Sequence, residues 1–119
     1  MGYTKFGKII RKLMIDNDEN LSNIAKLMGV STAFVSSVLT GKKNIPETWF
    51  DIFTNHYDLD DNTKSELYNA YCEEKNSIKI DVDNIPLSGK KVAVQFQRTL
   101  PGLSEEELTE IWNIIGKNK

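Results

Sequence analysis

Apolar residues recur at intervals of three and four along most of the chain, which is the spacing of helices with one buried face. Five such stripes lie in the first 76 residues and predict five short helices. The apolar residues assigned to their inner faces are, helix by helix, Phe6, Ile9, Ile10, Leu13 and Met14; Leu21, Ile24, Ala25 and Met28; Val35, Val38 and Leu39; Trp49, Phe50, Ile52 and Phe53; and Leu67, Tyr68, Tyr71 and Cys72.

Residues that favour helix ends lie between these stripes. The candidate N-caps are Thr4, Asn20, Ser31 and the cluster Asp60-Asp61-Asn62. Gly29 and Gly41 tolerate the left-handed conformation that ends a helix, and Pro46 suits the first turn of the fourth helix. The pattern therefore predicts an all-α domain over residues 1–76.

The periodicity changes in a C-terminal extension over residues 77–119. Ile78, Ile80 and Val82 lie at every second position, which is typical of a short strand or of an extended linker. Residues 89–100 fit both periods, and we favour a helix there. Ser104 and Glu107 form a capping-box pattern that begins a last helix, so the extension is predicted to be mostly helical.

Composition excludes several classes of protein. With 119 residues, the chain is one domain, or one small domain with an appendage, and it can bury a core without disulfides or metals. Its single Cys cannot form an internal disulfide. No apolar run approaches the length of a membrane span and no signal peptide opens the chain, so we expect a soluble, cytoplasmic protein.

The net charge of −2 conceals an uneven distribution. Residues 1–50 carry seven bases and four acids, whereas residues 51–86 carry three bases and nine acids. Three of the four acids in residues 1–50 lie close together in the predicted loop between the first two helices: Asp16, Asp18 and Glu19. The positive segment therefore permits binding to nucleic acid, and the acidic segment is expected to face away from it.

The second and third helices have a spacing that separates a DNA reader from an ordinary helical hairpin. Framework residues lie at relative positions 4, 5, 9, 10, 15 and 18 of a unit that begins at Leu21, and they are Ile24, Ala25, Gly29, Val30, Val35 and Val38. Ala25 is small where two helices cross closely, and Gly29 suits a left-handed turn. This arrangement is typical of a helix-turn-helix.

The stretch LSNIAKLMGVSTAFVSSVLTGK over residues 21–42 resembles the lambda-repressor-like helix-turn-helix regulators, also called the Cro-type or xenobiotic-response-element family. The resemblance covers about residues 4–58. It implies a bundle of about five helices in which the third is the recognition helix. The C-terminal half resembles, less specifically, the extra helical region of some phage-type repressors.

The resemblance also implies a set of DNA-binding residues. Those expected to face outward on the recognition helix are Ser31, Thr32, Ala33, Ser36, Ser37 and Thr40. Lys42 and Lys43 lie where the family contacts phosphates, and Asn20 begins the second helix, which usually abuts another phosphate. Phe34 is either an aromatic residue at the DNA edge or a core residue.

The chain departs from the family pattern at the base-reading positions. Leu21 stands where the family often has Gln, and the recognition face has short side chains in place of Arg or Gln. Because no bidentate reader of guanine or adenine remains, specificity would depend on DNA shape and on a dimer that doubles the site. Alternatively, the helix-turn-helix fold is kept, but its DNA-binding face binds a protein partner instead of DNA.

Candidates for catalysis are weak. His56 is the only His and has no metal-ligand pattern around it. Cys72 has no basic neighbour in sequence that would activate a thiolate, so it is predicted to be a small buried or half-buried residue. Glu105, Glu106 and Glu107 suit a helix start rather than catalysis. We therefore expect no enzyme, no cofactor and no metal.

The leading hypothesis is a sequence-specific DNA-binding transcriptional regulator of bacterial or prophage type, with repression as the expected mode. It would bind double-stranded operator DNA as a homodimer, with residues 77–119 as the dimerisation region. The alternative is a protein-binding module on a helix-turn-helix scaffold, such as an antitoxin, an antirepressor or a phage inhibitor of a host protein. A purely structural helical oligomer is a third hypothesis.

Overall fold

The computed structural model describes residues 2–116, and every regular element within them is a helix. The α-helices are α1 (Lys5–Asp16), α2 (Leu21–Met28), α3 (Thr32–Leu39), α4 (Trp49–His56), α5 (Asp61–Glu74), α6 (Leu87–Thr99) and α7 (Glu105–Gly116), with a 3₁₀ turn at Leu100–Gly102. The prediction of an all-α fold is confirmed for these residues.

The helices begin and end largely where local chemistry indicates. Side chains accept a hydrogen bond from the first turn at Thr4, Asn20, Ser31 and Asp60. Gly29 and Gly41 have positive φ angles of 70° and 83°. The prediction for Pro46 is wrong, because its carbonyl accepts from the N–H of Trp49 at 3.1 Å in a turn that precedes α4.

The core lies among α1–α5. Its buried residues are Phe6, Ile10, Met14, Ile24, Ala25, Val35, Val38, Leu39, Ile45, Trp49, Phe53, Leu67 and Ala70. Phe53 is fully buried near its centre, with its ring centroid 6.0 Å from that of Phe6 and 5.8 Å from that of Trp49. Helix α1 packs against both α3 and α5, while α2 packs against α3 and α4 against α5.

The inner face of α5 differs from the predicted one. Leu67 and Ala70 are buried, Tyr71 is half-buried, and these three positions follow the i, i+3, i+4 spacing of one helix face. Tyr68 lies beside that face and is 38% exposed. Cys72 is exposed, so the prediction of a buried or half-buried thiol is wrong.

Helix α1 meets the end of α3 at very short range. The backbone N–H of Thr4 donates to the carbonyl oxygen of Leu39 at 3.0 Å, and the Thr4 hydroxyl donates to the same oxygen at 3.3 Å. Gly7 is buried one turn later, where a Cβ atom would lie 2.0 Å from that oxygen. Only a residue without a side chain permits this approach.

The chain divides into two compact units, the first ending at Ile78 and the second beginning at Lys79. Residues 77–82 form no strand, whereas the helix favoured over residues 89–100 is confirmed by α6. The capping box before α7 is also present, with the N–H of Glu107 donating to Ser104 Oγ and the N–H of Ser104 donating to Glu107 Oε1. Residues 117–119 of the predicted extension lie outside the described residues.

Candidate nucleic-acid interface

Helices α2 and α3 are joined by a short turn whose geometry is fixed by hydrogen bonds. Each helix has eight residues. Gly29 ends α2 in the left-handed conformation, and the N–H of Val30 donates to the carbonyl of Ala25 at 3.0 Å. Ser31 Oγ then accepts from the N–H of Phe34 at 3.1 Å and begins α3. The direction of α3 relative to α2 is therefore set by the local chain.

The beginning of α3 is its most exposed part. Ser31, Thr32 and Ala33 are exposed, whereas Ser36 and Ser37 are half-buried. Thr40 is also half-buried, and its hydroxyl donates to the carbonyl of Ser36 at 2.8 Å. The prediction that all six residues face outward therefore holds only for the first three, and the Thr40 hydroxyl has no proton left for an outside acceptor while that bond is made.

Asn20 has a structural role at the start of α2. Its side-chain oxygen accepts from the N–H of Asn23 at 3.2 Å, and its own N–H donates to Asn23 Oδ1 at 2.8 Å. Asn20 is exposed, as a phosphate contact requires, but its amide oxygen is already bonded to the helix. An amide oxygen only accepts hydrogen bonds, so a contact with an anion needs donors, such as the side-chain nitrogen of Asn20 or backbone N–H groups of the helix start.

Lys42 and Lys43 are exposed in the turn that follows α3. Their backbone N–H groups both donate to the carbonyl of Ser37, at 2.8 Å and 3.1 Å, and Gly41 supplies the positive φ angle that closes the turn. Neither lysine forms an ion pair among the described residues. The backbone of both lysines is thus anchored in an ordered turn beside the end of α3, and their side chains extend from it into solvent.

Residues at the end of α5 hold this turn in place, and they were missed by sequence reasoning. The Asn44 side-chain nitrogen donates to the carbonyl of Ser77 at 3.2 Å, and Asn44 Oδ1 accepts from the N–H of Asn76 at 3.3 Å. Lys75 Nζ donates to the carbonyl of Ile45 at 2.7 Å. These partners are 30 to 33 residues apart, so no local pattern could have revealed them.

Phe34 is partly a core residue, which is one of the two alternatives left open for it. Its ring is half-buried and meets the Trp49 ring edge-on, with centroids 5.9 Å apart. Trp49 is only 3% exposed, so Phe34 covers the core with one side of its ring. Phe34 directly follows the exposed Ala33 in the first turn of α3, and part of its ring remains exposed there.

Two of the seven bases in residues 1–50 belong to another face of the domain. Lys5 and Lys8 line a groove between α1 and α5, together with Glu66 and Glu73. The distance from Lys5 Nζ to Glu73 Oε2 is 3.3 Å, and both side chains are well exposed. Glu66 and Glu73 of α5 therefore partly balance the charge of Lys5 and Lys8, whereas Lys42 and Lys43 lie on the turn after α3.

Glu19 lies in the loop before α2 but is directed at the end of α4. Its carboxylate accepts from the Tyr57 hydroxyl at 2.7 Å and lies 2.7 Å from His56 Nε2. Partial burial alone would raise the pKa of Glu19, but the hydrogen bonds from Tyr57 and His56 and the charge of His56 outweigh it and lower the pKa. Burial of the Tyr57 hydroxyl, together with its hydrogen bond to the Glu19 carboxylate and the charge of that group, raises the pKa of Tyr57.

The Glu19 contacts make the free energy of unfolding of the domain depend on pH. A carboxylate whose pKa is lower in the folded state stabilises the fold above its ordinary pKa, and this contribution is lost as the pH falls through the folded value. We expect Glu19→Gln to lower the free energy of unfolding by about 1 kcal/mol at pH 7 and to reduce the further loss between about pH 5 and 3. Urea unfolding of full-length protein across that range measures both effects.

The control for this prediction is Glu66→Gln, which removes an exposed carboxylate on α5. It should leave both the stability at pH 7 and its acid dependence close to those of the unchanged protein. If Glu19→Gln and Glu66→Gln behave alike, the contacts of Glu19 do not contribute to stability.

Residues 2–116 contain neither a cluster of metal ligands nor a membrane-spanning helix. No group of three or more His, Cys, Asp or Glu side chains within residues 2–116 is arranged to hold a metal ion. Within the same residues, none of the helices combines the length and the apolar character needed to cross a membrane. Comparisons of the chain with protein-family models, with curated proteins and with solved structures found no match.

Proposed function

We propose that this protein is a sequence-specific DNA-binding transcriptional regulator of bacterial or prophage type, acting in the cytoplasm, with repression as its expected mode. The α2–α3 pair is the helix-turn-helix, and the bundle α1–α5 is the lambda-repressor-like domain that carries it. The observation that carries this proposal is the exposed beginning of α3, set in a fixed direction by the Gly29–Ser31 turn, together with an exposed lysine pair on the turn after the other end of the helix.

Each part of this surface has a role in binding. The beginning of α3 enters the major groove, where the recognition helices of such domains contact base edges with their N-terminal residues. Ser31 and Thr32 have hydroxyl groups that hydrogen bond to bases or phosphates, and the methyl group of Ala33 contacts thymine. Lys42 and Lys43 bind phosphates after the helix, and the start of α2 at Asn20 approaches another phosphate.

The readout of bases by one copy is expected to be weak. No Arg, Lys, Asn or Gln lies within α3, so bidentate contacts to guanine or adenine are missing from that helix. Sequence preference must then come from DNA shape and from two copies that bind adjacent half-sites. A homodimer on a palindromic operator supplies the second of these, because it places two copies on adjacent half-sites.

Selection of binding sites from random duplex DNA by the full-length protein tests this proposal. We expect recovery of an inverted repeat whose half-site centres are separated by about 34–36 Å, or one helical turn. A matched selection with the Ala33→Glu protein should recover no common sequence, because the added carboxylate repels the groove. Failure of the folded, unchanged protein to enrich any sequence at low salt would contradict the proposal.

The short polar side chains of α3 also favour a second candidate, a protein-binding module that uses the same surface. In that case Ala33→Glu abolishes binding of a protein partner, while replacement of Lys42 and Lys43 has little effect. Duplex DNA then does not compete with the protein partner for this surface, and this result separates the two candidates.

A further inference from the structure

Helices α6 and α7 leave a large apolar surface without cover. An open groove of about 350 Å³ lies along them, lined by Phe96, Leu108, Thr109, Ile111, Trp112 and Ile115. Trp112 and Ile115 remain 53% and 57% exposed, and Val92, one turn before Phe96, is 68% exposed. No residue described from 79 onward is buried. This second unit therefore lacks an enclosed core of its own.

Helices of this length need such a core. Helix α6 has 13 residues and α7 has 12, and isolated helices shorter than about 12–15 residues are marginal in water. Their stability in proteins comes chiefly from burial of an apolar face. The apolar surface of α6 and α7 must therefore be covered if both helices are to persist.

The two helices carry opposite charges. Helix α6 contains the bases Lys90, Lys91 and Arg98 and no acid, while α7 contains Glu105, Glu106, Glu107 and Glu110 and no base. All seven side chains are exposed, and no ion pair joins the two helices within residues 2–116. The surface thus offers apolar residues beside one basic and one acidic helix.

We infer that this surface binds a second copy of the same chain. A two-fold axis brings the same surfaces together reciprocally, so α6 of each chain can lie beside α7 of the other. The basic helix then meets an acidic helix twice, and the apolar faces form the core of a four-helix bundle. A second copy supplies an acidic helix for α6 and a basic helix for α7, because each chain carries one of each.

The biological role of this dimer rests on the proposed function, in which a second copy of the chain doubles the number of DNA contacts. Dimerisation is nevertheless measured without DNA. A protein that remains monomeric but binds a selected duplex would overturn the α6–α7 interface alone. A dimer that binds no duplex would overturn the regulator alone.

Charge reversal in the full-length protein tests the interface. The first variant carries Lys90→Glu, Lys91→Glu and Arg98→Glu, and the second carries Glu105→Lys, Glu106→Lys and Glu110→Lys. Glu107 is kept because its carboxylate accepts from the N–H of Ser104 in the capping box. Sedimentation equilibrium should show a dimer for the unchanged protein and at least about 100-fold weaker dimerisation for each variant alone.

An equimolar mixture of the two variants should dimerise again. In the mixture, the acidic α6 of one variant faces the basic α7 of the other, and the reverse pair is equally complementary. Mixing cannot repair repulsion inside one chain, so recovery of the dimer identifies contacts between chains. A chain with all six substitutions should also form a homodimer, since it restores complementarity within each chain and between chains.

Four results would overturn the inference. They are a monomeric unchanged protein, undiminished dimerisation of either variant alone, a mixture that stays monomeric, and a six-substitution chain that stays monomeric. Circular dichroism of each sample accompanies the sedimentation, because the covered bundle predicts higher helix content in the dimeric samples than in the monomeric ones.

Discussion

Gly7→Ala should lower the free energy of unfolding by about 3 kcal/mol, although alanine normally favours a helix. The new Cβ would lie 2.0 Å from the carbonyl oxygen of Leu39 and 2.9 Å from its carbonyl carbon. Both are backbone atoms, so no change of side-chain rotamer relieves the overlap. Helix α1 must move away from α3, which also disturbs the two hydrogen bonds from Thr4 to Leu39.

Urea or thermal unfolding of the full-length protein measures this loss. The control is Gly2→Ala, where an added Cβ has no atom within 4 Å, and its effect should stay within about 0.5 kcal/mol. A loss below about 1 kcal/mol for Gly7→Ala would contradict the close approach of α1 to α3. Because α3 ends at this contact, the same variant should also weaken any function that needs a fixed α3.

The ends of the helices could be predicted because capping is local. Asn20 begins α2 through a bond to a residue three positions ahead, and Ser31 begins α3 in the same way. Gly29 adopts the left-handed conformation that its lack of a side chain permits. The candidate surface at the beginning of α3 follows from these local signals and from the spacing between them.

Contacts between distant residues could not be predicted in this way. Glu19 meets His56 and Tyr57 across 37 and 38 positions, and Asn44 meets Ser77 across 33. A sequence pattern gives the inner face of one helix but not the neighbours that cover it. For this reason the sequence places Glu19 only in the loop between α1 and α2 and does not reveal that its carboxylate is bound at the end of α4.

Small shifts of helix orientation explain the remaining differences. In α5, the predicted face included Cys72 and Tyr68, but Ala70 is buried in their place. An alanine gives a weak apolar signal, while tyrosine and cysteine give stronger ones, so the pattern placed the centre of the face incorrectly. Ser36 and Ser37 are likewise less exposed than their polar side chains indicate, in a helix that packs against both α1 and α2.

The double replacement of Lys42 and Lys43 with alanine should weaken duplex binding about 30-fold at low salt, or by about 2 kcal/mol. Both side chains are exposed on the turn after α3, and their backbone N–H groups are already bonded within the protein. Removing the ammonium groups therefore eliminates phosphate contacts without opening the turn. The salt dependence of binding should also become shallower, by about one unit of slope for each lysine.

Lys5→Ala with Lys8→Ala is the matched control for this variant. It removes the same charge from the groove between α1 and α5, where Glu66 and Glu73 also lie. A general effect of net charge would weaken duplex binding equally in both variants. A specific effect of the α3 surface would appear only when Lys42 and Lys43 are replaced.

Fluorescence anisotropy of a labelled duplex, titrated with the unchanged protein and both double variants over a series of salt concentrations, tests the central claim most directly. The α3 surface predicts modest, strongly salt-sensitive binding by the unchanged protein, nearly the same curve for Lys5→Ala with Lys8→Ala, and a large loss with a shallower slope for Lys42→Ala with Lys43→Ala. Equal curves for the two double variants, or no binding by the folded unchanged protein at low salt, would contradict it.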